Sequence, residues 1–229
     1  MLRRLPDAVA AVAREYAEGR LTPVEPVDAA TVLLLRDSPG GPEVFVMVRH
    51  TSMAFAGGMV AFPGGKVEPH DATSLPGPLP VGLADRLGAP HVQAAGVLAA
   101  VVRETIEETG VELAPADLGV WDAWTTPIFE PRRYRTWFFT AALPEGQRAE
   151  ELSTESSEVA WVTAEDGLAR VRDNTWAMLP PTLAAFARLA GFGSVAEVMA
   201  VTRDASVTMV TPEFDGVDSL HVPDWVARS

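Results

Sequence analysis

The sequence predicts an α/β fold, and three observations carry that expectation. Residues 29–35 (Ala-Ala-Thr-Val-Leu-Leu-Leu) and 44–49 (Val-Phe-Val-Met-Val-Arg) are short apolar runs bounded by turn residues, as buried strands are. Residues 91–109 are rich in Ala and Val with few breakers, which suits one long helix. Strand-like segments at 119–125, 135–142 and 158–162 are followed by helix-like segments at 163–171, 181–190 and 194–200.

Taken in order, Pro6 with Ala8, Val9, Val12 and Ala13 predicts an N-terminal helix over 6–18, ended at Gly19. A Pro-rich connector, 22–28, leads to the first strand. The segment Asp37-Ser38-Pro39-Gly40-Gly41-Pro42 predicts a hairpin with a longer loop between the first two strands. Phe62-Pro63-Gly64-Gly65-Lys66 predicts a tight turn with no side chain to obstruct an approaching ligand. Residues 71–90 read as loop with a short helix at 83–87, and Gly110 stands where a helix C-cap belongs. A last strand is expected at 207–210. The whole chain, 1–229, is expected to form one domain, with a core over 28–172 and a C-terminal helical extension over 173–229.

Composition limits the function. The chain of 229 residues is long enough to bury a full core. A formal charge of -13 argues against a nucleic-acid partner, though not against a phosphate-bearing small molecule where a cation reverses the local field. The absence of cysteine excludes disulfides and thiolate metal sites. No run approaches the roughly 20 apolar residues of a membrane span. Residues 1–20, with Arg3, Arg4, Arg14, Glu15 and Glu18, do not read as a signal region. A cytoplasmic protein with no membrane partner is expected. His50, His70, His91 and His221 show no metal-ligand spacing.

The chemistry-bearing segment is Arg103-Glu104-Thr105-Ile106-Glu107-Glu108-Thr109-Gly110-Val111. Helical geometry puts Glu107 and Glu108 on either side of the direction of Glu104, with Ile106 pointing roughly the opposite way. Three carboxylates so close repel one another, and the C-terminal end of a helix disfavours negative charge further. A hard divalent cation relieves both costs. Arg103, one turn before Glu107, is placed to hold that carboxylate.

Residues 103–111 match the second half of the Nudix box, G-x5-E-x7-R-E-U-x-E-E-x-G-U, with Thr105 at one apolar position. The first half departs from the pattern: after Gly65 and five intervening residues stands Asp71 rather than Glu, and the next spacer is expanded by an insertion. The chain thus resembles Nudix hydrolases with a split box, a subgroup that includes coenzyme A diphosphatases. That resemblance implies an α/β/α sandwich with a mixed sheet and extra terminal helices. It implies Mg²⁺ or Mn²⁺ held by Glu104, Glu107 and Glu108 with the backbone of Gly64 or Gly65, and Arg103 orienting Glu107. It also implies hydrolysis of a diphosphate linkage in a nucleotide-derived small molecule, and a homodimer, a frequent assembly of relatives. The general base is left open between Glu104 and an acid outside the box, Glu151, Glu155 or Glu158.

Coenzyme A or an acyl derivative is the favoured substrate, because Arg49, Gly58 and Phe62-Pro63-Gly64-Gly65 resemble the signature ahead of the box. That signature carries a further arginine where this chain has Ala54. Arg132, Arg133 and Tyr134 combine phosphate-gripping guanidinium groups with a ring able to stack on a base. Trp137 and Phe139 are expected in the core. Residues 178–182 open a late helix and are a candidate pocket wall. The alternatives are a Nudix hydrolase of ADP-ribose, sugar nucleotides or dinucleotides, and a nucleotide-sensing Nudix domain without catalysis. The three intact glutamates speak against the last.

Overall fold

The computed structural model describes residues 2–50, 58–152 and 156–221. Two strands, β2 (Val27–Ser38) and β3 (Gly41–Arg49), form the expected hairpin. Its turn is shorter than expected: Ser38 pairs with Gly41, leaving only Pro39 and Gly40 between the strands. The apolar runs mark only the buried stretches, while the strands continue through the exposed Arg36 and Asp37.

Further strands are β4 (Val60–Ala61), β5 (Gly64–Lys66), β6 (Gly119–Thr125), β7 (Tyr134–Ala142) and β8 (Ser156–Thr163). They complete a seven-stranded sheet in the order β4-β3-β2-β7-β6, with β5 paired to β2 and β8 to β3. The sheet is mixed, because β2 and β7 run parallel while the other pairs are antiparallel.

One face of the sheet is covered by α4 (His91–Thr109), with the short helices α2 (Asp71–Ser74) and α3 (Leu83–Leu87) beside it. Val32, Leu34, Phe45, Trp137 and Phe139 face α4 in one core. The opposite core joins Leu33, Leu35, Val46 and Phe138 to Phe186, Leu189 and Val198. Those last three belong to α6 (Pro180–Leu189) and α7 (Val195–Thr202), which follow α5 (Ala164–Arg172). The α/β/α sandwich follows from strands buried on both faces.

The insertion ahead of α4 is built into the fold. Leu83 and Leu87 are 2% and 3% exposed, the indole of Trp137 donates to the Leu87 carbonyl at 3.0 Å, and Val207 N donates to Arg86 O at 2.9 Å. The strand expected at 207–210 is therefore an extended strap, with only Val210 bridging to Trp124.

At the ends of the chain, β1 (Leu2–Arg4) pairs with β10 (Ser219–His221), and β10 with β9 (Glu213–Phe214). The C-terminal extension thus contains strands as well as helices. This small sheet packs with α1 (Asp7–Ala17), the expected N-terminal helix. Among the described residues no helix is long and apolar enough to cross a membrane.

A packed insertion should carry stability. Leu83→Ala is expected to cost about 2–5 kcal/mol in urea unfolding, whereas a loose surface loop would lose almost nothing.

Candidate active site

The site is built in a fork of the sheet. One edge of β2 pairs with β3 at residues 35–38 and with β5 at 29–31, and residues 60–66 cross the gap between them. Pro63 O accepts from Val32 N at 2.9 Å and from Thr31 Oγ1 at 2.7 Å, which pins the turn. Gly64 has φ +151°, and a Cβ there would collide with the backbone of Ala30 and Thr31. A Cβ on Gly65 would occupy the place of the Glu104 carboxylate. Two glycines are needed so that the turn can lie against the end of α4.

In the last turns of α4, Arg103 is the centre. Its Nε and Nη2 donate to the two carboxylate oxygens of Asp71, each at 3.0 Å. Its Nη1 donates to Glu104 Oε1 at 2.9 Å and Glu107 Oε2 at 3.1 Å. Nη2 also reaches Lys66 O at 3.1 Å, tying β5 to the helix. Glu108 turns inward, 5% exposed, and accepts from Gly64 N at 2.8 Å. The three glutamates thus grade from buried Glu108 through half-buried Glu104 to exposed Glu107. Thr105, in the apolar position, is fully buried and donates to Val101 O at 2.6 Å. Ile106 is 40% exposed on the far side.

Asp71 is the part that sequence reasoning undervalued. It is 1% exposed and also accepts from Glu68 N at 2.7 Å. Burial works to raise its pKa, but the Arg103 hydrogen bonds, the Glu68 amide and nearby positive charge outweigh it. The carboxyl is held below its usual range. Arg103 is correspondingly raised, first by the hydrogen bond to Asp71 and against its own desolvation. The expected contact of Arg103 with Glu107 is present, but the paired oxygens of Asp71 set the plane of the guanidinium. The only sequence signal for this was the five-residue spacing from Gly65.

Arg49, at the end of β3, is half-buried, and its Nε is enclosed without a hydrogen-bond partner among the described residues. Phe62 corrects an expectation: it is 4% exposed, with its ring stacked on Phe186 at 5.8 Å, so it belongs to the core rather than to a ligand surface. Arg133 commits Nε to Thr126 O and Nη1 to Val24 O. Arg132 is exposed and Tyr134 half-buried. Glu151 is exposed in a segment docked on the end of α4, through Glu150 N to Thr109 O and Leu152 N to Glu108 O, both 3.1 Å. Glu158 is exposed on β8 opposite Val48. Glu155 lies outside the described residues. Met178 bridges to Val60 at the mouth of the fork. A groove of about 510 Å³ beside the first turns of α4 is lined by Asp28, Val67, Glu68, Val92 and Gln93. Its two acids make it a poor seat for a diphosphate.

With the turn, the arginine and the graded carboxylates in place, residues 25–181 match the NUDIX domain family. The chain belongs to that family. A NUDIX hydrolase of Alicyclobacillus acidocaldarius shares the fold over 81% of this chain and 99% of that one, with 23% identity and a TM-score of 0.66. The Nudix hydrolase RenU of M. smegmatis aligns over 76% of this chain and 86% of its own, with 22% identity and a TM-score of 0.43. The NUDIX domain of Shewanella oneidensis NrtR, complexed with ADP ribose, aligns over 69% and 86%, with 16% identity and a TM-score of 0.44. No curated protein matches the chain.

Nudix hydrolases generally use divalent metal ions, and the donor chemistry here suits such an ion. Among the described residues no three acidic or histidine side chains already converge as a closed cage. Glu104 and Glu107 nevertheless touch the same Arg103 nitrogen, so their oxygens lie within reach of one cation. Carboxylate oxygens are the donors that hard divalent ions prefer.

Asp71→Asn should break the buried pair and cost about 3–5 kcal/mol at neutral pH. Because the Asp71 pKa is depressed on folding, its contribution is complete above about pH 4 and is lost as pH falls through the lowered value. Urea titrations at several pH values should show that loss of stability in the native chain and a smaller loss in Asp71→Asn.

Proposed function

We propose that the chain hydrolyses the diphosphate linkage of a nucleoside diphosphate derivative with Mg²⁺ or Mn²⁺, and that coenzyme A or an acyl-coenzyme A is the substrate. The observation that carries the chemistry is the Arg103 guanidinium, which holds Glu104 and Glu107 through one nitrogen beside the Gly64-Gly65 turn. When bound, the metal neutralises the diphosphate and lowers the pKa of a water that attacks phosphorus in line.

The residues of the chain have separable tasks in this reading. Glu104, Glu107 and Glu108 hold the metal, with a carbonyl of Gly64 or Gly65 as a further donor. Glu104 is set by Arg103 and Glu108 by Gly64 N, while Glu107, also held by Arg103, is the most exposed of the three. Arg103, itself fixed by Asp71, keeps the carboxylates apart and oriented. A base takes the proton of the attacking water, either Glu104 or a glutamate outside the box. Glu151 is supported by the docking of its segment against the end of α4.

Coenzyme A is supported by Arg49, whose buried Nε, without a hydrogen-bond partner among the described residues, suits a phosphate oxygen. Arg132, Arg133 and Tyr134 supply a second basic and aromatic surface. A second reading keeps the chemistry and changes the substrate to ADP-ribose, a sugar nucleotide or a dinucleotide. Ala54, in place of the second signature arginine, favours it. Either reading makes the chain a single-domain cytoplasmic enzyme.

A panel of coenzyme A, acetyl-coenzyme A, ADP-ribose and a dinucleotide, assayed with Mg²⁺ and with Mn²⁺, separates the two. Fast cleavage of ADP-ribose without cleavage of coenzyme A would reverse the order. Glu107→Gln is expected to lower kcat by about 10²-fold or more, with unchanged circular dichroism. Persistent activity in that variant, or in excess EDTA, would remove the metal assignment.

A further inference from the structure

A small hydrophobic cluster stands apart from the two main cores. Ala13, Phe129 and Leu220 are buried in it, with Leu5, Val9, Tyr16, Ile128 and Phe214 packed around them. Most of these belong to the two ends of the chain, outside the matched residues 25–181. Only Ile128 and Phe129 come from the body, and both lie in the β6–β7 loop. The Phe129 ring meets Phe214 edge-on at 6.3 Å.

Polar bonds reinforce the join. Leu5 N donates to Asp218 O at 2.7 Å, Arg4 pairs with Asp218 at 3.1 Å, and Arg14 Nε reaches Val217 O at 3.2 Å. Arg133 clips the loop to Val24, and Val27 N donates to Arg133 O at 2.9 Å.

This clamped loop carries Arg132, an exposed guanidinium with no hydrogen bond among the described residues. The loop enters β7 where Tyr134 pairs with Val27, three residues along β2 from the Ala30–Gly65 pair. That is roughly 10 Å along the strand, and because β5 and β7 pair with opposite edges of β2, two strand spacings of roughly 4.8 Å add across the sheet. An extended nucleoside diphosphate derivative can bridge the resulting span of about 14 Å. Glu130 in the same loop is half-buried, and burial pushes its carboxyl up.

We infer that the two chain ends form a clamp on the β6–β7 loop, and that Phe129 is a positioning residue holding Arg132 where it grips a substrate phosphate. This rests on the diphosphate reading of the site. The clamp lies away from the carboxylates, so it governs binding and leaves the chemical step alone. A loop of eight residues between strands has conformational freedom to lose on gripping a ligand, and the aromatic anchor reduces that ordering cost.

The test compares Phe129→Ala, Phe129→Leu, Phe214→Ala and Arg132→Ala, with coenzyme A and ADP-ribose as probes in Mg²⁺. KM, kcat and Tm are measured for each. Arg132→Ala is expected to raise KM about tenfold, as loss of a charge-assisted phosphate contact does. Phe129→Ala should raise KM similarly with kcat within about twofold, Phe129→Leu should recover most of the loss, and Phe129→Ala should add little to Arg132→Ala. If Phe129→Ala melts too low to assay, Phe214→Ala, which removes only the facing ring, should give the same KM shift. An unchanged KM in both aromatic variants beside a raised KM in Arg132→Ala overturns the clamp and leaves the substrate reading standing. No effect of Arg132→Ala overturns the grip itself, and a native chain that cleaves neither probe overturns both.

Discussion

One guanidinium makes this structure possible. Three glutamates within five residues at the C-terminal end of a helix repel one another and oppose the helix dipole. Arg103 answers with contacts to Glu104 and Glu107, while two of its nitrogens are locked to Asp71. The buried carboxylate matters because a free arginine has several rotamers and would lose entropy on holding a fixed position. Fixed by Asp71, it presents its remaining donors in one plane. Glu104 and Glu107 are therefore held in place with a cationic partner between them.

The second constraint is steric. The turn at Pro63-Gly64-Gly65 has to approach both β2 and α4 closely, and the two glycines answer different walls. Gly64 is fitted to strand backbone, Gly65 to the Glu104 carboxylate. The Gly64 amide then binds Glu108, so the backbone that restricts the sequence also orients one of its acids. Sheet, turn and helix end are coupled through a handful of atoms, and a shift in any one of them displaces the others.

These constraints explain what was legible in the sequence. The helix over 91–109 was readable to the residue because Pro90 precedes it and Gly110, at φ 72°, closes it. The box residues were readable because their spacing repeats a helical turn. The hairpin turn was overestimated because apolar runs mark burial, while pairing continues into exposed residues. The strands at 2–4, 213–214 and 219–221 left no local pattern: they are two or three residues long and their partners lie at the opposite end of the chain. Phe62 was misplaced because an aromatic beside a glycine turn looks the same in sequence whether its ring faces a ligand or Phe186. Asp71 was visible as a departure from the box, but its burial is a tertiary fact.

The insertion also shows how a split motif can still act as one unit. Separating Asp71 from Arg103 by a long segment adds loop-closure entropy only logarithmically, so length alone is a modest cost. Mobility would be the greater problem, because it would let the buried pair open. The chain removes it by anchoring the insertion at several points: Leu83 and Leu87 in the core, Leu87 O on the Trp137 indole, and Arg86 O on the strap from α7. Gly96 on α4 lies against Val67 and Ala72, so helix and insertion start pack without a gap. Asp71 thereby stays bound to Arg103 through both carboxylate oxygens. The C-terminal strap has a corresponding role, since it fastens α3 on one side and the Trp124 edge of the sheet on the other. Residues remote from the carboxylates thus determine whether the carboxylates stay aligned.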